Sequence, residues 1–121
     1  MTAPATHLGA FERSYLETAL WAETQGDSDR SFDADFGIVD FAPETLERML
    51  ADCQEFTDAH WDIVNHDLVR AGGDFWLTRN RHGVGFWDGD WGDRGDALTA
   101  AARAFGEVYL YMGDDGLIYM G

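Results

Sequence analysis

Lysine is absent from this chain. All eight basic residues among its 121 are arginine, and they stand against 23 aspartates and glutamates, a formal net charge of −15. A surface so short of cations repels nucleic acid and anionic membranes and attracts cationic partners. Direct nucleic-acid binding and membrane binding are therefore excluded as expectations. Cysteine is nearly absent too. Cys53 has no intramolecular partner to bond with, so a reducing, cytoplasmic compartment is the simplest reading. Long apolar runs are missing: no window approaches ~18 consecutive apolar residues, and Met1–His7 lacks the basic-then-apolar order of a signal peptide. Proline occurs only at positions 4 and 43, which leaves most of the chain open to helix or strand.

What is present is apolar bulk. Hydrophobic residues make up 45% and aromatic residues 14%, too rich for a disordered chain and enough for one core. Residues 1–121 are expected to form a single domain, with 1–8 as a flexible tail. Along it, Phe11, Tyr15, Ala19 and Ala22 recur at helical steps, predicting a first helix from Ala10 to about Thr24. The stretch 23–41 carries six acids against Arg30 with Phe32, Phe36, Ile38, Val39 and Phe41 between them. It reads as an ordered loop with a brief strand at Gly37–Asp40. Pro43 and Glu44 suit a helix start, and Gly72-Gly73 suits a stop, so one long helix is expected over 43–71. Leu46, Met49, Leu50, Cys53, Phe56, His60, Ile63 and Val64 form its apolar stripe.

Phe75, Trp76, Phe86 and Trp87 give an aromatic density that suits a packed sheet, with Asp74–Thr78 and Val84–Trp87 as strands across a polar turn. Asp96 reads as the N-cap of a short helix, Ala97–Phe105. A second hairpin, Val108–Met112 and Leu117–Met120, follows across Gly113-Asp114-Asp115-Gly116. The expected fold class is α+β. An antiparallel sheet of about four strands in two hairpins carries one long and two shorter helices, in the order α-α-β-β-α-β-β.

The block DFWLTRNRHGVGFWD, with the later FGEVYLYMGDDGLIY, resembles small acidic proteins encoded by phages and other mobile elements, most of which carry no assigned activity. The resemblance covers Cys53 to Tyr119. It departs at Gly73, where the pattern has His, and at Arg81, where it has Gly. It implies a phage or plasmid origin and transfers no catalytic residue.

Three constellations are candidates for function. Glu44, Glu47, Ala51, Glu55, Asp58 and Asp62 follow each other at three- and four-residue steps, placing five carboxylates along ~27 Å of an unbroken helix. Such a row imitates the charge of a duplex and fits the basic groove of a nucleic-acid-binding host protein. DNA-mimicking anti-restriction and anti-CRISPR inhibitors act in this way. The acidic loop around Asp33 and Asp35 extends the field, and Trp76, Trp87 and Trp91 supply aromatic anchors for an interface. The plain alternative is a solvated helix face, or the surface of a halophilic acidic domain. Second, Asp88, Asp90, Asp93 and Asp96 offer oxygens for a hard cation, but Gly92 and Thr99 break the EF-hand pattern, and a Gly/Asp turn with an N-cap is the favoured explanation. Third, Arg79, Arg81 and His82 beside Asp74 and Asp88 could serve a small metal-dependent or hydrolytic enzyme at the end of the sheet, though the stronger reading is an ion pair of Arg79 with an acid such as Asp88 and a turn, Asn80–Gly83, that only closes the hairpin. No nucleophile motif accompanies them, so no catalytic residue, cofactor or metal is assigned.

Overall fold

A computed structural model of the chain describes residues 8–26, 28–87 and 91–121. Among these the fold is mostly helical. Helix α1 spans Ala10–Ala22, α2 Pro43–Val64, α3 Leu68–Arg79 and α4 Gly95–Arg103, and strands β1 (Leu110–Met112) and β2 (Ile118–Met120) close the chain as one antiparallel hairpin. The expected four-stranded sheet is overturned. Its first hairpin does not form, because Asp74–Thr78 lies inside α3 and Val84–Trp87 is irregular chain.

The error has a physical cause. A run as short as Phe75-Trp76-Leu77-Thr78 cannot separate a buried strand from a buried helix by periodicity. Here the whole run is buried: Asp74, Phe75, Trp76, Leu77, Thr78 and Arg79 are all covered, so the second half of α3 is sheathed on every side, while Val69 and Arg70 in its first turn are exposed. Its aromatics stack with those of other helices instead of lining a pleat. Phe75 lies 4.3 Å from Phe56 of α2 at 13°, 5.0 Å from Tyr15 of α1, and edge-on to Phe105 at 5.0 Å. Phe86 joins the same cluster at 5.6 Å from Phe56.

The expected long helix is also divided. His60 leaves the helical region (φ −128°, ψ 20°), α2 ends at Val64, and α3 begins after Asp67, whose Oδ1 accepts from the Arg70 amide at 3.1 Å. Gly72 and Gly73 are therefore no stop signal. They sit within α3 where it crosses α1, and a Cβ on Gly72 would lie 2.2 Å from the Phe11 carbonyl oxygen. Replacing Gly72 with Ala sets two effects against each other. Helix propensity favours Ala by about 1 kcal/mol, while overpacking a backbone contact costs about 1–3 kcal/mol. The clash involves rigid backbone, so a lower denaturation midpoint is expected. Stabilisation by Gly72→Ala would show that the two helices are not in close contact.

Ala10–Ala22 matches the expected first helix closely. Gly37–Asp40 is no strand: Ile38–Asp40 forms a 3-10 turn, fastened by Asp40 Oδ2 accepting from the Gly37 amide at 2.8 Å. Asp96 does not cap α4 but lies in its first turn. The second hairpin forms with register Leu110↔Met120, Tyr111↔Tyr119 and Met112↔Ile118. It is sutured to the start of α2, where the Ala42 amide donates to the Ile118 carbonyl at 2.9 Å and Arg48 Nη1 donates to that of Met120 at 2.8 Å. Leu46, Cys53 and Phe56 thus face a core built mainly by helices, not a sheet.

Candidate functional site

The exterior of α2 carries the acidic row. Glu44, Glu47, Glu55, Asp58 and Asp62 are all exposed, and among the described residues none of them forms an ion pair with arginine. Asp58 accepts from Gln54 Nε2 at 2.7 Å, which leaves its charge uncompensated. The buried stripe explains the placement. With Thr45, Leu46, Met49, Cys53, Phe56 and Thr57 turned inward, residues three and four apart on the opposite side must meet solvent. The kink at His60 means that Asp62 lies beyond the straight part of the row. Trp61, 55% exposed, sits just after the kink, between Asp58 and Asp62 in sequence, and is an exposed aromatic that the sequence reading passed over.

Other expected site residues are placed differently. Asp33 is exposed and accepts from Ser31 Oγ at 2.5 Å. Asp35 is gripped by Arg30 through two bonds of 2.6 and 2.9 Å and by Gln25 Nε2 at 2.9 Å. The Arg30 bond, then that from Gln25, lowers the Asp35 carboxyl to about 2. Its contribution to holding this loop is present above the ordinary carboxylate range and is lost only as pH falls through about 2. A carboxyl NMR titration of Asp35 should show that low midpoint; a midpoint at the usual value near 3.9 would contradict the clamp.

Trp91 is half-buried, donating Nε1 to Asp74 Oδ2 at 2.8 Å with its ring edge-on to Phe86. It lines a polar depression of about 490 Å³ with Asp62, Ile63, His66, Asp67, Arg70 and Arg94. Trp76 is fully buried and donates to Glu23 Oε2 at 3.2 Å, while Trp87 is half-buried with the Arg103 guanidinium 5.3 Å above its ring. The three tryptophans expected at an interface are thus mainly structural, and the exposed ones are Trp21 and Trp61. Trp21 rims a larger depression of about 920 Å³, together with exposed Val39, Val69 and Asp33.

Of the expected Arg79/His82/Asp88 cluster, the two described residues, Arg79 and His82, face different partners, and no sheet forms beside them among the described residues. Arg79 closes α3 in the interior. Its Nη1 donates to Tyr15 Oη at 3.0 Å and to Asp52 Oδ2 at 2.8 Å, Nε donates to the Gly106 carbonyl at 2.9 Å, and Nη2 to that of Phe105 at 3.0 Å. Phe75 and Phe105 rings flank the guanidinium at 5.8 and 5.6 Å. Burial alone lowers the Arg79 pKa, but Tyr15 and Asp52 outweigh it and the net shift is upward, so Arg79 is a fixed cation. Burial, only partly offset by Arg79, raises Tyr15 far above its ordinary range. His82 looks elsewhere, with Nε2 3.3 Å from Glu23 Oε2. Asp88 and Asp90 lie outside the described residues, and Asp93 is exposed in the 3-10 turn Gly92–Arg94. Among the described residues no group of three or more His, Cys, Asp or Glu is arranged to hold a metal ion. Cys53 is buried and its thiol is pushed well up by that burial, which fits a core side chain. No helix among the described residues is long and apolar enough to cross a membrane.

Comparison with protein-family profiles, with curated proteins and with solved structures finds no match.

Proposed function

We propose that this chain is a phage-type acidic protein that docks on the basic, nucleic-acid-binding groove of a host protein, acting as a DNA-mimicking inhibitor of a restriction or CRISPR nuclease. The observation that carries the reading is the row Glu44, Glu47, Glu55, Asp58 and Asp62, exposed along α2 without an arginine partner among the described residues. Most acids in a folded chain have compensating cations nearby. Here lysine is absent, and Arg13, Arg30 and Arg79 are paired with Glu17, Asp35 and Asp52 instead. With Ala51 interrupting the series, five carboxylates over 18 residues give roughly one charge per 7 Å of axis, against about one per 3.4 Å for a single DNA strand. The row therefore matches a strand in sign and, from Glu44 to Asp58, in line, but is about half as dense, and exposed Trp61 lies just past the kink at its far end. The phage or mobile-element origin belongs to this proposal as well.

The test is the binding of duplex DNA by a panel of restriction and CRISPR nucleases with the protein present. At least one should lose DNA binding at low salt and regain it as salt rises, since exposed charges beyond a Debye length of about 8–10 Å are screened. Inhibition that is indifferent to salt would rule out mimicry.

A further inference from the structure

The outer face of the β1–β2 hairpin carries a ladder of tyrosines that the core does not use. Leu110, Ile118 and Met120 turn inward and are buried, while Tyr109 and Tyr111 are 60% and 44% exposed. Tyr111 and Tyr119 are direct cross-strand partners with rings stacked at 5.7 Å and 21°, and Tyr109 continues the row at 5.8 Å from Tyr111. Two glycines let rings lie close to the backbone: a Cβ on Gly121 would meet the Tyr109 ring at 2.6 Å, and one on Gly113 would meet that of Tyr119 at 2.4 Å. Aromatics laid over glycines in this way brace a short hairpin. They also present a broad π surface.

The charges around that surface are negative. Asp115 Oδ2 accepts from the Tyr119 hydroxyl at 2.6 Å, and Glu44, first of the acidic row, is close enough to bear on the Tyr119 phenol. Arg48, the arginine that reaches this hairpin, directs Nη1 to the Met120 carbonyl. Among the described residues, the guanidiniums found over aromatic rings are those of Arg79 and Arg103, and neither lies over these three tyrosines.

We propose that the Tyr109–Tyr111–Tyr119 face, edged by Glu44 and Asp115, is a platform for arginine side chains of the basic partner. The proposal rests on the cationic-partner reading above and specifies its chemistry. A guanidinium stacks flat on an aromatic ring while its edge bonds to carboxylates; an ammonium lacks that planar match. A second copy of this chain is a poor occupant, because two surfaces of net charge −15 repel.

Oligoarginine and oligolysine peptides of equal length serve as probes, titrated calorimetrically into the intact protein. The wild type should bind oligoarginine about tenfold more tightly than oligolysine. Replacing Tyr109, Tyr111 and Tyr119 with Leu should erase that preference and leave oligolysine binding unchanged, whereas the Phe versions should keep it. If the triple Leu variant fails to fold, Tyr111→Leu alone should reduce the preference. Equal affinities for the two peptides in the wild type would overturn the proposal, as would a preference that survives in folded Leu variants, since carboxylates alone would then explain it. Reversal of Glu47, Glu55, Asp58 and Asp62 to Lys should weaken both peptides while keeping the preference. An arginine preference without nuclease inhibition would retire the inhibitor reading and leave the platform standing, and inhibition without the preference would do the reverse.

Discussion

Reversing Glu47, Glu55, Asp58 and Asp62 to Lys is expected to abolish binding to the cationic partner, weakening it by about a thousandfold or more. Each reversal replaces an attraction at the interface with a repulsion, so four at roughly 1 kcal/mol each reach ~4 kcal/mol, or about three decades of affinity. The fold should tolerate the change. All four side chains are exposed, and the net charge moves from −15 to −7, which relieves self-repulsion. The variant should therefore unfold at the same temperature as the wild type or higher in dilute buffer. A wild type that unfolds at low salt and recovers at high salt would point to halophilic acidity. Unchanged binding by the folded variant would remove the row from the interface.

Arg79→Met is expected to be the most damaging single substitution in the interior, costing about 3 kcal/mol and lowering the melting temperature by roughly 10 °C. Methionine fills much of the space but donates no hydrogen bond. Tyr15 Oη and the Phe105 and Gly106 carbonyls each lose their bond from Arg79, and Asp52 is left without its cation. Asp52 is 27% exposed and can recover some hydration, which holds the figure at the lower end for a broken buried pair. Tyr15→Phe removes one bond from the same hub and should cost only about 1 kcal/mol. Denaturant melts of both variants check the contrast. An Arg79→Met protein within 1 kcal/mol of wild type would mean that the guanidinium does not tie α3 to α1, α2 and the turn that follows α4.

Legibility followed the length of each pattern. Ala10–Ala22 was readable because Phe11, Tyr15 and Ala19 repeat over three turns, and the last hairpin because GDDG sits between two apolar runs. The exposure of the acidic row was readable for the same reason, as burying five like charges carries a prohibitive desolvation cost. The central block failed because its apolar run is short and its glycines are ambiguous. Gly72-Gly73 reads as a stop, yet serves a helix crossing whose partner, Phe11, lies some sixty positions away. The break after Val64 had a local sign in Asn65-His66-Asp67, where Asp67 is an N-cap type. Arg79 reads as part of a hairpin-turn cluster with Arg81 and His82, because its partners Tyr15, Asp52, Phe105 and Gly106 are brought together only by packing. The tyrosine ladder was present in the spacing of Tyr109, Tyr111 and Tyr119; its stacking required the register.

The central claim is that α2 stands in for DNA, and competition measures it most directly. A nuclease inhibited by this protein is loaded with labelled duplex DNA, and the protein is titrated in at several salt concentrations. The account predicts mutual exclusion, with DNA displaced in proportion to bound protein and the protein's affinity falling steadily as salt rises. A ternary complex in which nuclease holds DNA and protein together, at an affinity indifferent to salt, would contradict it.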